Sequence, residues 1–227
     1  MKTKLLARGL LMASALIASG TASAGVFWEG TVAQWVNGTG NLTPSTGPAP
    51  SQALNQIIDA DGDLKFNWLG LSGDLIGHES TIYVELSEDF LQGKEIYEAF
   101  FTFIGGYTAS VGGIKYSLTA LDPAQEFPSS ARLDSNVRLG AELVTEQLFD
   151  PTTLFSTLTS NGGASDGYIN FTPRQSIVVT DTLNANGGII RNVSNQFDPA
   201  PTPVPAPMAL PLMAIGLAAL GVRRRRA

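Results

Sequence analysis

Residues 96–104, which read IYEAFFTFI, and residues 114–121, which read IKYSLTAL, decide the fold. In the second stretch apolar and more polar residues alternate, and a period of two is typical of a strand with one buried face. The first stretch is strongly aromatic, which favours a central strand of a sheet. The residues of the second stretch predicted to share the buried face are Ile114, Tyr116, Leu118 and Ala120.

Eight further short runs have the composition of strands. They cover residues 26–35, 64–69, 81–86, 137–144, 154–158, 168–171, 177–183 and 189–193. Four glycine pairs punctuate the ten runs, and each pair can supply the positive φ of a turn. These pairs lie at 105–106, 112–113, 162–163 and 187–188. Ten short runs with regular turns predict a single all-β, sandwich-like domain over residues 25–199. One short helix is predicted over residues 51–58, with Ser51 as its N-cap.

The composition limits the chemistry of the protein. The chain has 227 residues, of which 44% are hydrophobic, and this is enough apolar material for one domain core. It has no Cys and one His. Disulfides, thiolate metal sites, cysteine nucleophiles and sites with several His ligands are therefore excluded.

The charge is unevenly distributed. Three of the 14 basic residues precede residue 25 and four follow residue 222, whereas all 20 acidic residues lie between Glu29 and Asp198. The central segment therefore keeps seven basic residues and has a net charge of −13. A body this acidic repels phosphate backbones, so a nucleic-acid partner is not expected.

Residues 1–24 have the three parts of a secretory signal peptide. The apolar run at residues 10–18 is about half of the roughly 20 residues that span a bilayer. Ala22 and Ala24 supply the small side chains that signal peptidase requires at −3 and −1 of its cleavage site. The segment predicts export and cleavage after Ala24. The basic residues at its start are Lys2, Lys4 and Arg8.

The last 28 residues, 200–227, also have three parts. Proline occupies every second position from 199 to 207, which favours an extended spacer. Residues 208–222 are apolar and uncharged, and as a helix they would reach about 22 Å, short of a hydrocarbon core of about 30 Å. Four arginines follow and favour the cytoplasmic face, which leaves the acidic body outside. They are Arg223, Arg224, Arg225 and Arg226.

This tail resembles the PEP-CTERM sorting signal, which has a Pro motif, an apolar stretch and a terminal Arg cluster. The matching Pro motif begins with Val204, Pro205, Ala206 and Pro207. Ala206 stands where the family name places Glu, so the tail resembles the related VPLPA-type variant. The resemblance implies transient anchoring in the inner membrane, cleavage by an exosortase, and delivery to the cell surface or the exterior. It also implies a setting of biofilm and exopolysaccharide. A permanent membrane anchor is the alternative.

Asp59, Asp61 and Asp63 form the sharpest local motif. Alternate carboxylates in a turn can converge on calcium, which takes six to eight oxygen ligands. An EF-hand is excluded, because Leu64 and Gly70 stand where that motif needs Gly and Glu. The alternative is a solvated turn held by Asx-type hydrogen bonds.

No catalytic motif accompanies the two end signals. The pattern Gly-x-Ser-x-Gly occurs at residues 163–167, but it lies between two predicted strands and not at the strand-to-helix turn that a nucleophile elbow requires. Ser-x-x-Lys does not occur, and His78 has no second His to share a metal. The sequence therefore predicts a non-enzymatic, exported surface or matrix protein. Two alternatives remain: a carbohydrate-binding or adhesive module assisted by calcium, and a secreted glycan hydrolase with a carboxylate pair. Seven aromatic residues either pack in the core or form a sugar-stacking platform. They are Trp28, Trp35, Trp68, Phe100, Phe101, Phe103 and Tyr107.

Overall fold

The computed structural model describes residues 25–43, 50–59, 61–91, 94–121, 127–138 and 140–200. The predicted signal peptide and almost all of the predicted sorting tail lie outside the described residues. In chain order the elements are β1 (Gly25–Thr31), α1 (Val32–Asn37), β2 (Asn41–Leu42), β3 (Ser51–Ala53), β4 (Gln56–Ile58), β5 (Leu64–Gly73), β6 (Ile82–Leu91), β7 (Lys94–Tyr107), β8 (Gly112–Ala120), β9 (Phe127–Arg138), β10 (Leu143–Asp150), β11 (Thr153–Asn161), β12 (Ala164–Ser165), β13 (Ile169–Asn170), β14 (Ser176–Asn184) and β15 (Ile189–Ala200).

The strands form two antiparallel sheets that pack as a sandwich. Sheet A has the strand order β13-β9-β15-β7-β6-β1-β2, and sheet B has the order β12-β11-β10-β14-β8-β5-β4-β3. Strand β7 lies in the middle of sheet A, paired with β6 on one side and β15 on the other. The predicted all-β sandwich and the central position of the aromatic run are both confirmed.

The alternating residues of the sequence face the space between the sheets. Ile114, Tyr116, Leu118 and Ala120 are all buried, as predicted for one face of β8. An aromatic cluster fills one region of this core. The Trp35 ring centroid lies 5.3 Å from that of Trp68, 5.7 Å from that of Trp28 and 6.3 Å from that of Tyr116.

The sugar-stacking interpretation fails for most of the aromatic residues. Because they bury large areas in the core, six of the seven are at most 7% exposed. Phe100 is the exception, since it is half-buried and points outward from sheet A. The six buried residues are Trp28, Trp35, Trp68, Phe101, Phe103 and Tyr107.

The predicted helix over residues 51–58 is wrong, because β3 and β4 form a hairpin there, with Asn55 at φ 62° in the turn. The helix of the described region is α1, inside the run expected to be the first strand. A capping box starts it: the Gln34 N–H donates to Thr31 Oγ1 and the Thr31 N–H donates to Gln34 Oε1. Gly38 ends it with φ 63°.

The predicted strand over residues 137–144 is also wrong. Strand β9 ends at Arg138 and β10 begins at Leu143, so the predicted run is not one continuous strand. Strand β9 itself was missed because its inward-facing residues include small Ala131 and polar Ser135, which hide the apolar alternation. One glycine pair also differs from prediction. Gly112 and Gly113 lack positive φ and instead lie inside β8, where neighbouring side chains occupy the space of a Cβ.

Within the described part of the chain, no helix combines the length and the apolar character needed to cross a membrane.

Candidate functional site

Five carboxyl groups gather at one end of the sandwich, and we call them the acidic cluster. Three come from the Asp-rich loop between β4 and β5, and two come from the β6–β7 hairpin of the opposite sheet. The phenol of Tyr97 on β7 donates a 3.0 Å hydrogen bond to Asp63 Oδ1, which ties the loop to the hairpin. The members of the acidic cluster are Asp59, Asp61, Asp63, Glu88 and Glu95.

Asp59 organises the loop from within. It is 1% exposed, and its two carboxylate oxygens accept the backbone N–H groups of three following residues. Oδ1 accepts from Gly62 at 3.0 Å and Asp63 at 3.1 Å, and Oδ2 accepts from Leu64 at 3.0 Å. Gly62 adopts φ 85°, which lets the chain turn around this carboxylate. Asp59 therefore folds the loop, and its oxygens are already engaged by the backbone.

Glu88 and Glu95 reach the loop because of strand alternation. Glu88 continues the inward row of β6 that contains the buried residues Val84 and Leu86. Glu95 begins the inward row of β7, and Glu88 pairs across the strands with Tyr97. One carboxylate oxygen each from Asp61, Glu88 and Glu95 lie within 4.8 Å of one another. The inward rows of β6 and β7 are thus acidic at this end of the sandwich, whereas their other buried members are apolar or aromatic.

Glu95 is the most constrained acid of the hairpin. Its residue is only 7% exposed, and its Oε1 has no hydrogen-bond partner among the described residues. Burial, together with the neighbouring Glu88 carboxyl, raises the pKa of Glu95 to about 8. A buried oxygen without a partner is costly, so this side chain needs a proton or a cation that the described residues do not supply.

The other members of the acidic cluster repel one another. Burial and the Asp63 carboxyl raise the pKa of Asp59 to about 9 and that of Asp61 to about 6. Burial also raises the pKa of Glu88, with a contribution from Asp61. The ion pairs of the described ranges engage other acids, since Arg132 contacts Asp134 and Arg174 contacts Asp150. The carboxyl groups of the acidic cluster therefore have no ion-pair partner in the part of the chain that the structure describes.

The sequence identified only part of this arrangement. Asp59, Asp61 and Asp63 do come together, with one oxygen of each within 4.8 Å of the others. Glu88 and Glu95 were missed, although both are acids at positions where the alternation of β6 and β7 demands an inward apolar residue. That mismatch is the signal that could have found them, but their approach to Asp61 depends on how the sheets pack.

A second polar group is fully enclosed between the sheets. Glu146 and Asp181 face each other on paired strands β10 and β14, and neither is exposed. Asn195 of sheet A donates to Asp181 Oδ2 at 2.7 Å and to the Tyr116 hydroxyl at 2.9 Å. Burial raises the pKa of Asp181 to about 7, and burial with the charge of Asp181 raises the pKa of Glu146 well above its usual range. Because neither acid is exposed, this pair offers no surface to a ligand.

A polar groove runs over the outer face of sheet A, formed mainly by strands β7, β15 and β9. Its volume is about 500 Å³, within the usual range of small-molecule sites. Ser194 Oγ donates to Glu98 Oε1, which holds that carboxylate in the groove. Phe100 supplies the aromatic surface. Principal lining residues are Glu98, Phe100, Asp134, Asn192, Ser194 and Gln196.

No protein-family model matches this chain, and no curated protein sequence matches it.

Proposed function

We propose that the chain is an exported, non-catalytic cell-surface or matrix protein that an exosortase sorts through its carboxyl-terminal tail. The observation that supports this proposal most directly is that the sandwich lies between the two end signals of the sequence. Strand β1 begins at Gly25, directly after the predicted cleavage position Ala24. Strand β15 ends at Ala200, four residues before Val204. Removing both end segments would therefore leave every described strand of the sandwich intact.

The tail has a physical logic that supports this proposal. Its apolar run is too short for a stable span, so it suits temporary residence in a bilayer. The terminal arginines fix its orientation. The proline spacer keeps the cleavable segment extended, because such a sequence cannot close into a helix. An enzyme in the membrane would then bind an extended segment that lies outside the folded, acidic domain.

Deletion of residues 204–227 tests the sorting step in the natural host. We expect the intact chain to appear at the surface in a form shortened at both ends, and the deletion variant to be secreted without surface attachment. Mass spectrometry of the surface fraction locates both termini. Ala24→Phe serves as a matched test of signal-peptide cleavage, because a bulky residue at −1 blocks signal peptidase while leaving the tail unchanged. Equal distribution of the intact and deleted chains would refute sorting.

The groove on sheet A supports a second candidate function, the binding of an extended carbohydrate. Sugar recognition combines hydrogen bonds from carboxylate and amide side chains with stacking on an aromatic ring. Carboxylate and amide groups for hydrogen bonds come from Glu98, Gln196 and Asn192, and the aromatic ring for stacking comes from Phe100. The hydroxyl of Tyr168 donates to Gln196 Oε1 at 2.9 Å, which fixes the orientation of that amide. The acidic surface favours neutral or cationic sugars, because anionic ones would be repelled.

Retention of the protein on neutral exopolysaccharide measures this activity. Phe100→Ala should reduce retention at least about fivefold, since stacking is worth about 1–3 kcal/mol for a base on an aromatic ring and a similar gain is expected for a sugar. Ile104→Ala is the matched control, because Ile104 lies on the same face of β7, is 61% exposed and does not line the groove. Equal retention of both variants would exclude the groove as the binding site.

A further inference from the structure

The geometry of the acidic cluster fits a single divalent cation. Calcium binds oxygen ligands at 2.3–2.6 Å, so two oxygens on one ion lie up to about 5 Å apart. The three oxygens of Asp61, Glu88 and Glu95 lie within 4.8 Å of one another. One ion can therefore contact all three with small side-chain adjustments.

Glu95 gives an independent indication of a missing ligand. Its side chain is enclosed, and Oε1 has no hydrogen-bond partner in the described ranges. One of its two carboxylate oxygens lies within 4.8 Å of an oxygen of Asp61 and an oxygen of Glu88. Exposed acids can satisfy their oxygens with bulk water, but a carboxylate that is 7% exposed has little access to it. A bound cation would satisfy this oxygen and compensate its charge.

The surrounding structure already holds the ligands in place. The backbone N–H groups that bind Asp59 shape the loop that carries Asp61. Tyr97 holds Asp63 through its hydroxyl group, close beside Asp61. The hairpin supplies Glu88 and Glu95 from two paired strands. Such preorganisation lowers the entropy cost of binding an ion.

We propose that Asp61, Glu88 and Glu95 bind one calcium ion at the end of the sandwich, with Asp63 beside it and Asp59 organising the loop. The sequence motif of three aspartates is thereby revised: Asp61 is a ligand, whereas Asp59 is a structural carboxylate engaged by backbone N–H groups. Calcium is favoured over magnesium, because ligands from a loop and two strands are poorly placed for the strict octahedron that magnesium demands. This inference is independent of sorting and of glycan binding.

A cation in this position would connect the two sheets. Asp61 belongs to the loop preceding β5 of sheet B, while Glu88 and Glu95 belong to sheet A. Binding to the folded state alone stabilises it by mass action. Calcium is therefore expected to raise the melting temperature of the protein, by about 5 °C at a concentration one hundred times the dissociation constant.

Isothermal titration of the chelator-treated full chain with calcium chloride tests the proposal. We expect one site with a dissociation constant of about 10⁻⁴ M, as in extracellular modules. Glu95→Gln should weaken binding at least tenfold, and magnesium should bind at least tenfold more weakly than calcium. Glu85→Gln is the matched control, because Glu85 lies on β6 of the same hairpin, but on its outer face.

A second variant guards against loss of folding. Asp61 is exposed, so Asp61→Asn should fold normally and still lose at least tenfold in calcium affinity. Circular dichroism checks the fold of each variant before titration. The proposal is overturned if the wild-type chain shows no calcium binding, or if folded Asp61→Asn binds as tightly as Glu85→Gln.

Discussion

Asp59 and Glu95 show how position decides the role of a carboxyl group. Both are buried, and burial raises the pKa of each. Asp59 has three backbone N–H donors around its oxygens, whereas Glu95 has an oxygen with no partner among the described residues. The first is therefore satisfied by the fold, and the second is suited to an external ligand.

Gly40 lets the backbone approach the aromatic core closely. A Cβ at this position would lie 2.3 Å from the Trp28 ring, which is fully buried. The Trp28 indole donates to Gln52 Oε1 at 2.9 Å, and Gln52 donates to the Gly40 carbonyl at 2.9 Å. Because of these two hydrogen bonds, neither the ring nor the backbone can move away without breaking a hydrogen bond.

Gly40→Ala should therefore destabilise the protein by about 1–3 kcal/mol, the usual cost of overpacking. The free energy of unfolding in urea measures it. Thr39→Ala, at an exposed neighbouring position, should change stability by less than about 0.5 kcal/mol. In a Trp28→Phe background the same Gly40→Ala change should cost less, because the clashing ring atoms are gone. An equal cost in both backgrounds would contradict the clash.

At the scale of elements, β10 and β14 place two acids opposite each other inside the sandwich. Strand pairing puts Glu146 beside Asp181. Among the described residues, the only side-chain hydrogen bond to this pair is the one that Asn195 donates to Asp181. Tyr116 completes the group through its bond with Asn195. Because the pKa of Asp181 is about 7 in the folded protein and about 4 in an unfolded chain, folding is coupled to proton binding.

Stability should fall as the pH rises from about 4 to about 7. Below this window both states carry the proton; within it the unfolded chain releases the proton while folded Asp181 keeps it. Each such carboxyl contributes a loss of about 1.4 kcal/mol per pH unit within this window. Asp181→Asn should remove that contribution, so its advantage over the wild type grows with pH, as urea unfolding at several pH values would show.

The matched control for this titration is again Glu85→Gln, which removes an acid from the outer face of sheet A. It measures how much the loss of one outer-face carboxylate by itself changes the dependence of stability on pH. The acidic cluster titrates in the same direction, but it is present in all three proteins and cancels in the comparison. Parallel curves for Asp181→Asn and the wild type would show that Asp181 does not titrate in this window.

The elements also show where local sequence signals compete. Alternation predicted β5, β7 and β8 because their inward residues are large and apolar. It failed for residues 51–58, where two strands of three residues are too short to show a period. It also failed for α1, where a capping box at Thr31 and Gln34 overrode the apparent strand. That box was present in the sequence as a local signal.

At the scale of the whole molecule, the polar groove and the acidic cluster lie in different parts of the sandwich. The polar groove lies on the outer face of sheet A, and the acidic cluster lies at one end between the sheets. A cation at that end could stabilise the sandwich without occupying the groove. The central segment has a charge of −13, so self-repulsion favours a bound cation and discourages anionic partners.

The sequence by itself determined the all-β class, the inward face of the main strands, and the acidity of the body, because periodicity and charge are local properties of the chain. It also determined the two end patterns on which the sorting proposal rests. Only the tertiary structure decided that Glu88 and Glu95 join Asp61, and that Glu146 and Asp181 are enclosed together. These side chains come together through strand pairing and sheet packing between residues far apart in sequence, and no local sequence pattern encodes which distant residues will be neighbours.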